Sequence, residues 1–145
     1  MSRPTYVTPA DEAVERVIAD TVGVSWNCSP TKLAKFNSID FALTRDGNVS
    51  GWMEIKRRTN AHDKYPTYMI SFDKWKNLIL TANASQLPAF LVVQFTDGLY
   101  YLHSHIPPTH IEVGGRFDRN DSQDVEPVAH FKHELLTPIK PKASQ

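Results

Sequence analysis

Asp40, Glu54 and Lys56 are the residues of this 145-residue chain whose types and spacing point to chemistry. The two carboxylates fall on the arms of an expected hairpin. Ile39, Phe41 and Leu43 alternate with Asp40, Ala42 and Thr44, the period of a strand. Arg45-Asp46-Gly47-Asn48 is turn chemistry, and Val49 to Arg57 returns as a second strand. A three-residue loop, Asp46-Gly47-Asn48, pairs Arg45 with Val49 and sets Asp40 opposite Glu54. Ile39, Phe41, Leu43, Met53 and Ile55 then share one face, and Asp40, Glu54, Lys56 and Trp52 the other. A two-residue loop would split the apolar set between faces.

Carboxylates held ~5 Å apart across strands repel each other and need compensation. Lys56 could supply it as a surface ion pair on a solvated sheet face. Glu54-Ile55-Lys56 lies mid-chain between apolar strands, however, where a solvated face is not expected. A hard divalent cation compensates better: Mg²⁺, for which Mn²⁺ substitutes, takes one or two carboxylates with carbonyls and waters. The Ile55 backbone carbonyl is then a third protein ligand, and Lys56 holds and helps deprotonate a water beside the metal.

The flanking pattern supplies elements to position this hairpin. Thr8 is a good N-cap, Pro9 fits the first helical position and Asp11 the first turn. Val14, Val17, Ile18 and Val22 recur at helical spacing, and Gly23 is the expected stop. Val24 to Cys28 reads as a short strand or extended entry and Ser29 to Asn37 as a loop carrying Lys32 and Lys35. After the hairpin, Thr59 to Pro66 is polar loop and Thr67 to Ser71 a short strand. Phe72 to Ala84 is a second helix, with Trp75, Leu78, Ile79 and Ala82 on one side. Pro88 to Phe95 is an apolar run suited to a strand buried on both faces. Asp97-Gly98 turns it into Leu99 to His103. Arg116 to Glu126 reads as a polar loop or disordered segment, and Val128 to Ile139 holds one more strand or short helix. The order predicts an α/β fold with a mixed central sheet flanked by helices.

Asp40, thirteen intervening residues and Glu54-Ile55-Lys56 together resemble the signature of the PD-(D/E)XK nuclease superfamily. The order of helix, hairpin, short strand, helix and strand is similar to its restriction-endonuclease-like αβββαβ core over about Thr8 to Tyr101. Within it the likeness extends to small phage and prokaryotic nucleases and Holliday-junction resolvases. Ile39 stands where the family often has proline. The resemblance implies a Mg²⁺-dependent DNA endonuclease. Asp40 and Glu54 would be metal ligands, and Lys56 would orient or activate the attacking water. A glutamate of the first helix often completes such a site, so Glu15 or Glu12 would fill that role. On a helical wheel Glu15 lies roughly 100° from the centre of the apolar stripe and Glu12 roughly 160°, which favours Glu15. The second helix of this fold often sends a Lys or Gln towards the site, and Lys74 is the candidate.

The DNA-binding candidates are Lys32, Lys35, Arg57, Arg58, Lys64 and Lys74, as a groove for phosphates. Charge is distributed to suit: Lys32 to Lys76 holds nine Lys and Arg against five Asp and Glu, whereas Glu112 to Glu134 holds three against six. Tyr65, Tyr68 and Trp52 could stack on bases, although core packing fits Tyr68 better. Gln94 interrupts an apolar strand, as a satisfied core amide or as a neighbour of the site. His103, His105, His110, His130 and His133 match no zinc-binding spacing and read as surface or strand-edge residues.

The chain as a whole is neutral, which argues against a purely electrostatic DNA binder. With 41% hydrophobic residues it can bury a core without staples, and Cys28, the one cysteine, forms no disulfide framework. No stretch approaches the ~20 apolar residues of a membrane span and the N-terminus lacks a secretory signal, so a cytoplasmic protein is expected, in the host cytoplasm if phage-encoded. The length suits a single nuclease domain, with a core about 8–112 and a polar C-terminal segment 113–145. One site cuts one strand, so cutting two would require a homodimer. The alternatives are a non-catalytic nucleic-acid-binding module on the same fold and a small interaction protein without a nucleic-acid role.

Overall fold

A computed structural model describes residues 9–34, 38–114 and 125–140. The expected N-cap Thr8 and the candidate Lys35 lie outside the described residues. Helix α1 spans Pro9–Trp26, and the strands β1 Ser29–Lys32, β2 Phe41–Arg45, β3 Asn48–Arg57 and β4 Thr67–Ser71 follow. Helix α2 is Phe72–Ser85. The remaining strands are β5 Ala89–Phe95, β6 Gly98–His103, β7 His110–Gly114, β8 Glu126–Lys132 and β9 Thr137–Pro138, with a 3₁₀ turn at His133–Leu135.

Six strands form a mixed sheet in the order β1-β2-β3-β5-β6-β9. β3 and β5 run parallel at its centre, joined by the β4–α2 crossover, and the other pairs are antiparallel. One face carries Phe41, Leu43, Met53, Ile55 and Val92 against Ile18, Ala19 and Val22 of α1. The other carries Ala89, Leu91 and Val93 against Trp75 and Leu78 of α2. This is the α/β sandwich with helices on both faces that the pattern predicts. A second sheet, β4-β8-β7, packs Tyr68, Ile70, Ala129 and Phe131 into the α2-side core.

Several local expectations are corrected. Gly23 does not stop α1, which runs on to Trp26 and ends at Asn27 in the left-handed conformation, φ 55°. Gly23 is instead a site of close approach: a Cβ there would lie 2.7 Å from the Cys28 carbonyl oxygen and 2.8 Å from Pro30 Cδ. Val24 to Trp26 is therefore helix, and β1 forms where a loop was expected. Val17 is 65% exposed, so the buried stripe centres on Ile18, Ala19 and Val22. The β5–β6 turn consists of Thr96 and Asp97, since Phe95 pairs with Gly98.

The hairpin register is reached by a different route. Arg45 pairs with Asn48 across a two-residue Asp46-Gly47 turn, both residues with positive φ, a type I′ geometry. A bulge between Leu43 and Thr44 then shifts the register, so Leu43 faces Gly51 and Phe41 faces Met53. The bulge restores the even-sum pairing that the apolar pattern requires. Ile39 departs from the expected face: it precedes β2 and packs in the α2-side cluster.

Candidate active site

β3 outruns β2. The pairing of β2 with β3 ends at Phe41–Met53, so Glu54 to Arg57 project past the last rung of the hairpin. Asp40 sits at that break. Its Oδ2 accepts a hydrogen bond from the Ile55 backbone N–H at 3.0 Å, taking the place of the next backbone rung. Its own carbonyl accepts from Leu33 N–H at 3.0 Å. The hairpin thus brings Asp40, Glu54 and the Ile55 backbone together. The N–H and C=O of a strand residue leave on the same side, so the Ile55 carbonyl faces the same edge as its Asp40-bound N–H.

Glu54 projects to the opposite face of β3 from Met53 and Ile55, towards α2. It is 3% exposed, an uncommon setting for a carboxylate. Its Oε2 lies 3.6 Å from Lys74 Nζ, carried by the first turn of α2, and 4.0 Å from Lys56 Nζ. Its Oε1 is buried with no hydrogen-bond partner. Burial and then the Asp40 charge push the Glu54 carboxyl up to about 7, against the pull of Lys74 and Lys56.

Glu15 joins from the α1 side. Relative to the stripe of Ile18, Ala19 and Val22, it occupies the same helix face about one turn earlier. Its carboxyl is raised by burial and then by Asp40, and lowered by Lys32 and Lys56. Lys32 of β1 stands between the two acids, with Nζ 3.8 Å from Glu15 and 3.9 Å from Asp40. Glu12 is exposed and lines the groove between α1 and β1 beside Glu15 and Lys32.

Three acids and three lysines therefore converge here, yet every ion pair among them is 3.6–4.0 Å long. None is a hydrogen bond in length. The donor oxygens of Glu15, Asp40 and Glu54 do not all lie within 4.8 Å of one another. An orphaned buried oxygen, a raised carboxyl and an all-oxygen donor set fit a hard divalent cation.

The remaining basic candidates spread outwards. Arg57 pairs with Asp11 at 3.5 Å, while Arg58 lies over the Tyr68 ring at 5.1 Å and reaches the Met69 carbonyl. Lys64 lies over Tyr65, which is 55% exposed. Tyr68 is core, and Trp52 is half-buried with its Nε1 donating to Ser85 Oγ, so neither is free to stack on a base. Lys32 is closer to the acids than a groove residue needs to be. Its place was not legible because β1 was not expected.

Residues 1–139 match a family model described as "Phage putative PDDEXK endonuclease". No curated protein matches the sequence. Among solved structures, Hjc, a Holliday junction resolvase from Archaeoglobus fulgidus, is similar with a TM-score of 0.58. That likeness has 11% identity over 91% of this chain and 93% of Hjc, and it establishes a shared fold. With the family model spanning nearly the whole sequence, the chain belongs to this phage PDDEXK endonuclease family.

Proposed function

We propose that this endonuclease cleaves DNA with Mg²⁺ or Mn²⁺ held by Asp40, Glu54 and the Ile55 carbonyl. The observation that carries the proposal is the buried, unpartnered Glu54 Oε1 within a raised carboxyl beside Asp40. Bound there, the cation supplies Lewis-acid stabilisation of the phosphate charge that builds up during hydrolysis. The protein residues do the rest. The Ile55 N–H fixes one Asp40 oxygen and so orients the other. Lys56, 4.0 Å from Glu54, would orient the attacking water as a cationic donor or, in its neutral form, accept the proton that the water loses. Lys74 holds Glu54 from the α2 side, which favours the ionised form that a cation requires. Glu15, more than Glu12, completes the acid set and is neutralised by Lys32.

Arg57, Arg58 and Lys64 are exposed charges and would contact phosphates. Lys35 belongs to the same basic stretch of sequence. Branched DNA is the first substrate to try, because the similar fold in Hjc serves a Holliday junction resolvase. Cutting both strands of a junction would need a homodimer. No described helix is long and apolar enough to cross a membrane. The test is a panel of junction, flap, duplex and single-stranded DNAs and RNA with Mg²⁺, Mn²⁺ or EDTA. Cleavage of at least one DNA with either metal and none in EDTA is expected. Cleavage restricted to RNA, or none of any substrate, would overturn the proposal.

A further inference from the structure

The outer face of the three-stranded sheet gathers a second donor set, apart from the acids of the hairpin. His110 and Glu112 alternate on β7, so both side chains leave on one face. β8 runs antiparallel beside it, and His130 lies directly opposite His110. The two imidazoles are stacked, with centroids 4.3 Å apart and planes 11° from parallel. Glu112 reaches diagonally across the strands. One of its oxygens is 2.7 Å from His130 Nε2 and the other 4.0 Å from His110 Nε2. One ligand atom from each of the three residues lies within 4.8 Å of the other two.

Two features separate this cluster from an ordinary surface ion pair. His130 is 6% exposed, and its Nε2 is buried without a hydrogen-bond partner. The Glu112 oxygen is close to that nitrogen but lies off the direction in which an N–H would point. At the other side of the ring, Thr67 Oγ1 of β4 lies 2.8 Å from His130 Nδ1 and forms a hydrogen bond with it. An imidazole whose outer nitrogen is held by a hydrogen bond, while the inner one faces further donors, is the arrangement of a metal-ligating histidine.

We propose that His110, Glu112 and His130 bind a borderline transition-metal ion, Zn²⁺ above all. Two imidazoles and a carboxylate are a known zinc donor set, with a fourth position left to solvent. Mg²⁺ prefers oxygen ligands and would be rejected here, so this site is chemically distinct from the acid centre at Asp40 and Glu54. Among the described residues β7 is an edge strand of its sheet, and β8 is its one neighbouring strand. A metal bridging His110 and Glu112 to His130 therefore clips that edge to the core-forming β8.

The test is zinc titration of the full-length protein by calorimetry, in saturating Mg²⁺. The protein carries Asp40→Asn and Glu54→Gln, so that zinc is not held at the acid centre. One equivalent of Zn²⁺ should bind and raise the melting temperature. His110 and Glu112 are exposed, so His110→Ala and Glu112→Gln should fold normally. Each should weaken zinc binding by more than the ~10–100-fold that loss of an outer-shell partner costs. Thr67→Val should weaken it by about that ~10–100-fold. An absence of bound zinc in the background variant would overturn the proposal. So would zinc binding that His110→Ala and Glu112→Gln leave within about twofold, which would place the metal elsewhere. Neither result depends on whether the protein cleaves DNA.

Discussion

Replacing Glu54 by Gln should stabilise the metal-free protein, and the gain should grow with pH. The side chain is 4% exposed, so solvent does little to screen it. Its carboxyl titrates at about 7 in the folded chain against an ordinary 4.5. The folded state therefore holds a proton that the unfolded state releases. Below 4.5 the group is neutral in both states and costs nothing. As pH rises from 4.5 through about 7, stability is lost, up to ~3 kcal/mol at about 1.4 kcal/mol per pH unit. Gln keeps the shape and has no proton to lose. Between pH 5 and pH 8 the variant should gain roughly 2–3 kcal/mol on the wild type, or about 5–10 °C in melting temperature. Urea unfolding in EDTA at both pH values measures it, and other titrating groups cancel in the difference. A difference that stays within ~0.5 kcal/mol across this range would show that Glu54 is ionised at little cost and needs no cation to compensate it.

Four further outcomes are expected. Lys56→Ala should lower the single-turnover cleavage rate by ~10²–10⁴-fold, the usual contribution of a positioned proton carrier, while DNA affinity changes little; collapse of binding with an unchanged rate on bound DNA would make Lys56 a phosphate contact only. Glu15→Gln should impair cleavage more than Glu12→Gln at equal melting temperature, because Glu15 shares Lys32 with Asp40; the reverse order would remove Glu15 from the site. Adding Mg²⁺ at pH 8 should raise the wild-type melting temperature more than that of Glu54→Gln, since linkage acts only where the ion binds. Gly23→Ala should destabilise by ~1–3 kcal/mol in urea melts, because the new methyl meets the Cys28 carbonyl and Pro30.

The hairpin that carries the candidate site is legible in the sequence because its information is local. Asp40 and Glu54 belong to one hairpin, and the apolar alternation of Phe41, Leu43, Met53 and Ile55 fixes which residues share a face. The turn is one residue shorter than expected, but the Leu43–Thr44 bulge compensates, so that Phe41 faces Met53 as the apolar pattern requires, with Asp40 just past that last pair. What escaped is non-local. Ile39 looks like part of the alternation, yet β2 begins after it and the chain bends there. Gly23 carries the same symbol whether it caps a helix or admits a neighbouring strand, and only the position of Pro30 decides. Lys32 reaches the acids because β1 pairs with β2, a contact no periodicity announces in a four-residue strand. His110 and His130 are twenty residues apart, and only the β7–β8 register places them opposite each other.

The most direct test of the central claim is single-turnover cleavage of saturating DNA by the wild type, Asp40→Asn and Glu54→Gln, titrated with Mg²⁺ and back-titrated with EDTA. Cleavage should rise with Mg²⁺, stop in EDTA and be lost in both variants although they remain folded and still bind DNA. Cleavage that persists in excess EDTA, or wild-type rates in either variant, would contradict it.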